Sequence, residues 1–339
     1  VILPRWLTCP AAALLLLGLP ASLRAADPDL VCSVQFENDF FGGGTDRHFT
    51  HGTKLSCLTS PIAWITEAAD KLPWFSYEDA DREDGGGLAA RASVSVGQNI
   101  YTPEDIETSS LIAEDRPYAG WLYLGFGLVA NQGANRYDNI ELNIGLVGPL
   151  SFAEEVQDGW HSLFDLPEPR GWDNQLGNEL GVNLYYEQAH RLGIKHLNRG
   201  IDYDVIPHFG CSLGNVFTSF SLGATLRLGI GLEDDFGPPR IRPSLPGSIY
   251  FREAKDTWKW YVFTGFEGRA VFHNIFLDGN TFTDSPKVVK EFLVGDFQIG
   301  IALQFDRYRL SYIQIFRSDE YEGQSGADRF GSLNFSFHF

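Results

Sequence analysis

Apolar and polar residues alternate along most of this chain, in blocks separated by Gly, Pro, Asn and Asp. Phe220, Leu222, Ala224, Leu226, Leu228, Ile230 and Leu232 interleave with Ser219, Ser221, Gly223, Thr225, Arg227, Gly229 and Gly231. Leu293, Phe297, Ile299, Ile301, Leu303 and Phe305 interleave with Asp296, Gln298, Gly300 and Gln304. A period of two puts successive side chains on opposite faces of a strand. Near the start, Leu30, Cys32, Val34 and Phe36 share one face, and Ser33, Gln35, Glu37 and Asp39 the other. After a Gly-rich turn, His51, Thr53, Leu55 and Cys57 oppose Thr50, Gly52, Lys54 and Ser56. The pattern predicts about twelve strands, near 30–40, 49–58, 90–101, 118–131, 136–147, 179–190, 202–213, 218–232, 258–271, 292–305, 307–317 and 329–339.

The polar faces are small and hydrophilic, unlike a sandwich core. Tilted strands of roughly 9–11 residues cross a bilayer. The expected fold is therefore all-β: a closed antiparallel transmembrane β-barrel of about twelve strands, with its apolar face to lipid and its polar face to the lumen. The stretch Leu333-Asn-Phe-Ser-Phe-His-Phe339 ends inside a strand on an aromatic residue. It resembles the C-terminal assembly signal of bacterial outer-membrane barrels, and pairing with strand 30–40 would remove its sticky edge. Two helical patterns interrupt the strands. Ile62, Ile65, Ala68, Ala69 and Leu72 have helical spacing, ahead of an acidic Gly-rich stretch at 79–87. The second runs from Phe152 to Phe164 and puts Gln157 and His161 one turn apart on one face.

Arg5, the apolar run Ala11–Leu19 and the small residues around Ala25 and Ala26 read as an export signal. Residues 1–26 are expected to be removed and 27–339 to form one barrel domain in the cell outer membrane. In an even-stranded barrel with both termini in the periplasm, the loops after strands one, three and five open at the outer rim. That rim then carries Asn38–Thr50, Thr102–Tyr118 and the His161 helix. Segments 60–89 and 233–257 become inward connections, where such barrels usually have short turns. If Asp39 faces Thr50, the same register puts Cys32 opposite Cys57, either as a cross-strand disulfide or as two small residues facing lipid.

The formal net charge of −18 excludes a nucleic-acid binder, which needs a basic surface. There is no Gly-x-Ser-x-Gly elbow and no His/Cys cluster for zinc. Water as nucleophile, a His as base and a hard cation as electrophile remain. Glu37, Asn38, Asp39, Asp46 and Thr50 surround three glycines and offer hard oxygen ligands suited to calcium; a solvated hairpin tip explains them equally well. His161 stands out as a base, since its helix opens at the same rim as this hairpin. In Asp115-Arg-Pro-Tyr-Ala-Gly-Trp121, Arg116 either pairs with an acid or holds a lipid phosphate, and Tyr118 reads first as an interface anchor.

These motifs, with Glu37-Asn-Asp-Phe-Phe41, Thr45-Asp-Arg-His-Phe-Thr-His-Gly52, Gln98-Asn-Ile-Tyr-Thr-Pro103, Glu155-Val-Gln-x-x-x-His161 and Gly171-Trp-Asp-Asn-Gln175, resemble the outer-membrane lipid A 3′-O-deacylases. The resemblance runs in order through nearly all of 27–339. It implies a twelve-stranded barrel that removes the 3′-linked acyloxyacyl group from lipid A of lipopolysaccharide and depends on calcium. It assigns His161, Asn38, Asp39 and Thr50 to catalysis, with Gln157 orienting the imidazole or the water. Metal ligation is expected from Asp39, Asp46 and Glu37, and substrate contact from Arg116 and Tyr118. The expected partners are lipid A and outer-membrane lipids, with the chain acting as a monomer. Where the family has a Lys after the Gln98–Pro103 motif, this chain has the acidic stretch Glu104–Ser110. A family carboxylate shortly after the His falls near Pro167, with Glu168 beside it. A non-catalytic channel or structural barrel, and a calcium-dependent phospholipase, are the competing readings.

Overall fold

The structure is a computed structural model describing residues 30–41, 48–71, 88–133, 135–197, 200–244 and 247–339. The expected signal 1–26, the glycines 42–44, Asp46 and the acidic stretch 79–87 lie outside the described residues.

Twelve long strands form the wall: β1 Val31–Asn38, β2 His48–Leu58, β3 Leu88–Thr102, β4 Ala119–Gln132, β5 Arg136–Val147, β6 Glu179–His190, β7 Asp202–Gly214, β8 Phe217–Ile230, β9 Ala254–Asn274, β10 Leu293–Asp306, β11 Tyr308–Arg317 and β12 Asp328–His338. Each pairs antiparallel with its neighbours, and β12 closes on β1 from Val31↔His338 to Asn38↔Gly331. A further strand, Ile194–His196, pairs only with the start of β7. The alternation works as expected. Ser33, Gln35 and Glu37 are buried in the lumen while Val34 faces out. Cys32 and Cys57 are register partners and are joined by a disulfide.

The lumen is filled by the chain itself. The described residues of the inward connection, 231–244 and 247–253, do not hang below the barrel; they fold up into it. Asp234, Asp235, Arg240, Ile241 and Phe251 are all buried. The Asp235 carboxylate accepts from Arg227 Nη1 at 2.5 Å, Arg309 Nη1 at 2.7 Å and Tyr261 Oη at 2.7 Å. Higher up, Arg242 pairs with Glu141 and Glu187. Lumen faces rich in charge thus find partners in this segment, as buried charges must. At the outer end a short helix, Ile275–Asp278, closes the top: Ile275, Phe276 and Leu277 are buried, and Phe276 stacks on Tyr101 at 4.1 Å between ring centroids.

Two longer helices lie outside the wall. We label these α1, Ala63–Asp70, and α2, Ala153–Phe164. Helix α1 packs over Ala90 and Ala130, at the end of the barrel that carries both termini. Helix α2 packs over the other end.

Candidate functional site

A left-handed residue at each end frames α2: Phe152 before it (φ 57°) and Asp165 after it (φ 54°). Its entry is pressed against the wall at Gly120, where a Cβ would overlap Ser151 and Ala153, so only glycine lets the helix sit so close. Beneath it, Ala153 joins Ile100, Ile106, Tyr118 and Trp172 in a small apolar cluster. The Trp160 ring lies 5.6 Å from Phe36 and 6.1 Å from His51, both on outward-facing positions of β1 and β2.

Helix and wall enclose a groove of about 380 Å³. One stretch of its lining is polar: Asn38, Asp39, Thr50, His51, Thr53, Gln157 and His161. The rest is apolar: Phe36, Ile100, Ile106, Val156, Trp160, Leu166 and Pro167. Residues more than a hundred positions apart in sequence thus share one cavity, on the lipid side of the barrel.

The His161 ring is buried, and its Nδ1 lies 2.5 Å from the Pro167 carbonyl. A carbonyl only accepts, so Nδ1 carries the proton and Nε2 is the basic nitrogen. The Pro167 carbonyl thus orients the imidazole from its Nδ1 side. Gln157 is itself anchored, its Oε1 accepting from Trp172 Nε1 at 2.9 Å. Its amide NH₂ is then the end suited to donating. Opposite, Asn38 Nδ2 donates to the Thr50 carbonyl at 2.8 Å, tying the end of β1 to the start of β2. The Thr50 and Thr102 hydroxyls are 2.6 Å apart. Asp39 is buried at the first position of a short turn, Asp39–Phe41. On α2, burial pushes the Asp158 carboxyl up; Glu168 and Glu155 add to this, while His161 opposes it.

Three expected site residues sit elsewhere. Glu37 points into the lumen, where its Oε1 accepts from the Ile241 amide at 3.1 Å and pairs with Arg240 at 3.4 Å. It docks the lumen segment and is not placed to ligate a metal in the groove. Arg116 is buried, with Nη1 3.3 Å from Glu320 and its guanidinium 5.0 Å over the Tyr101 ring, which is the structural pairing and not a phosphate contact. Tyr118 is buried and donates to the Ile106 carbonyl at 2.9 Å, so it supports the groove floor instead of touching substrate. Sequence reasoning missed the roles of Trp172 and Pro167, although Trp172 lies in a motif already singled out. It also missed the apolar wall, whose members come from five separate segments.

Among the described residues no group of three or more His, Cys, Asp or Glu could hold a metal. The Asp39 carboxylate, the Asn38 side-chain oxygen and nearby backbone carbonyls are nevertheless all hard oxygen donors, the chemistry a calcium ion takes. The donor set fits a hard cation and does not fit a soft one.

The family described as outer membrane protein LpxR matches residues 9–339. No curated protein matches in sequence. Among solved structures, LpxR from Salmonella typhimurium superposes with a TM-score of 0.71 at 20% identity, over 91% of this chain and 100% of that one. The β domain of the Bordetella autotransporter BrkA gives 0.44 at 8% identity, over 92% and 99%. The first likeness shows the shared barrel fold, and the second carries no argument.

Proposed function

The chain belongs to the LpxR family of outer membrane proteins, and from that premise we propose that it is a calcium-dependent hydrolase removing the 3′-linked acyloxyacyl chain from lipid A in the outer leaflet. The observation that carries this reading is the groove. A basic imidazole and the Asn38–Asp39–Thr50 set line one cavity whose other walls are apolar and continuous with the lipid-facing barrel surface.

In this reading the acyl chain lies along Phe36, Ile106, Val156, Trp160 and Leu166. The His161 Nε2 takes a proton from water as the water oxygen attacks the ester carbonyl carbon. The Gln157 amide donates to the developing oxyanion. The bond between the acyl carbon and the sugar oxygen then breaks, and His161 returns the proton to that leaving oxygen, giving a free sugar hydroxyl and a carboxylic acid. Asp39 and Asn38 would hold calcium, which would supply Lewis acidity at the carbonyl oxygen.

Two competing readings lose ground. A channel needs an open lumen, and here both ends are stopped by the chain's own residues. A serine phospholipase needs a nucleophile in the groove, and among the described residues its lining has no Ser.

His161→Ala tests the proposal. The variant should fold as a heat-modifiable barrel and lose deacylation by about 10²–10⁴-fold, the usual contribution of a general base. Lipid A mass spectra with and without expression give the readout. Retained activity would remove His161 from the mechanism, and released lysophospholipid with unchanged lipid A would transfer the reading to a phospholipase. Chelation should inactivate reversibly, with calcium restoring activity; full activity in excess chelator excludes calcium.

A further inference from the structure

Helix α1 is fastened to the wall. Ile62 N donates to the Ala90 carbonyl and Thr59 N to that of Ala92, both at 2.9 Å. In return Ala90 N and Ala92 N donate to the Thr66 and Thr59 hydroxyls at 3.0 and 3.1 Å. Ile65 and Ala69 pack on Ala90, Ala130, Leu128 and Ile140, all outward-facing wall positions. The helix is thus a fixed ledge on the outside of β3–β5.

Its circumference divides into three. At about 100° per residue, Ile62, Ile65, Thr66 and Ala69 share the side against the barrel. Trp64 and Ala68 share a second edge, and Trp64 is 72% exposed. Glu67 and Asp70 take the third edge, also exposed. A helix resting on a barrel with only water around it has no use for an exposed Trp edge. One at a membrane interface has a lipid side and a water side, and Trp is enriched there.

Its height fits as well. On β3, α1 covers Ala90 and the α2 cluster covers Ile100, ten positions along. Ten residues span about 33 Å along a strand. Tilted by roughly 40°, that is about 25 Å along the membrane normal, the height of an outer-membrane barrel's apolar band. Between the two helices the wall shows Val94, Leu124 and Phe126 to lipid.

We propose that α1 is an interfacial helix seated in the periplasmic leaflet of the outer membrane, its Trp64–Ala68 edge in contact with phospholipid. The two helices bracket one stretch of hydrocarbon on the same wall. Together they fix the depth at which the groove meets the outer leaflet. The inference rests on the barrel's place in the membrane and stands apart from deacylation.

Nitroxide labels test it. In a Cys211→Ser background with the Cys32–Cys57 disulfide kept oxidised, single cysteines replace Trp64, Ala68, Glu67 and Asp70, one at a time. The folded protein goes into bilayers of phosphatidylethanolamine and phosphatidylglycerol. Labels at 64 and 68 should collide more with dissolved oxygen than with a water-soluble nickel chelate, and labels at 67 and 70 should show the reverse. Ala68→Cys is a conservative change and gives the reading if Trp64→Cys fails to fold. Nickel access at all four positions would overturn the proposal. So would shielding of 64 and 68 from both reagents with spin–spin broadening, which would mark a second copy of the chain as the true occupant.

Discussion

Asp235→Ala removes the carboxylate on which Arg227, Arg309 and Tyr261 converge, towards the inner end of the lumen. Arg227 keeps Asp204, to which its Nε donates at 3.0 Å. Among the described residues Arg309 has no second carboxylate; it retains the Ser248 carbonyl at 2.7 Å and the Ser336 hydroxyl at 3.5 Å. The Tyr261 hydroxyl loses its acceptor. Deleting one partner of a buried pair costs about 3–5 kcal/mol, because the other charge is left uncompensated. At about 2–4 °C per kcal/mol, the unfolding midpoint should fall by on the order of 10 °C. The midpoint is read as the temperature at which the folded band is lost in a heat-modifiability gel. Asp235→Asn keeps an acceptor for Tyr261 and should fall less. In the Asp235→Ala, Arg309→Ala double variant the two losses should sum to less than additive. A fall below about 2 °C for Asp235→Ala would refute the reasoning, since it would mean that water already screens the cluster.

Trp172→Phe removes the donor that anchors Gln157 and should lower turnover by about threefold to tenfold, the worth of one ordinary hydrogen bond, with the barrel still folded and the midpoint somewhat lowered by the smaller ring in a buried cluster. In protein unfolded without reduction Cys211 alone should react with a maleimide, and Cys32 and Cys57 should join it only after reduction; mass spectrometry of the labelled peptides decides. At the outer rim, burial alone would raise the Asp278 pKa, but hydrogen bonds from His273 and Lys290 outweigh it and hold the group at about 2. A depressed carboxylate gives stability that is complete above its unfolded value near 4 and is lost as pH falls towards 2. Protection from hydrogen exchange in 275–292, taken relative to the intrinsic rate at each pH, should therefore fall across that window, and constant protection would show that the contacts do not hold the cap.

The wall was legible because a barrel strand writes its environment into every second residue. Each of the twelve expected strands is present, and the Cys32–Cys57 register follows from one hairpin pairing. The meeting of Asp39 and His161 was legible from strand parity, which needs only the order of strands. The filled lumen was not. Segment 231–253 has no period, and its Asp, Arg and Pro residues look like a solvated turn. Its partners, Glu37, Glu141, Glu187, Arg227 and Arg309, are scattered over strands far apart in sequence. Nothing local marks Glu37 as a partner of Arg240, so an acid beside Asn38 and Asp39 read as one of their kind. Strand alternation already placed Glu37 on the lumen face, opposite to Phe36, where it lies; it placed Asp39 there too, but β1 ends at Asn38 and the turn that follows brings Asp39 round to the groove.

The groove under α2 opens sideways, on the wall and not down the axis. A substrate anchored by its own fatty chains never leaves its leaflet to reach such a site; it drifts in along the plane. In the proposed reading, turnover should follow the fraction of the surface that the substrate occupies, and inert lipid added at constant total substrate should slow the enzyme simply by spreading its targets further apart.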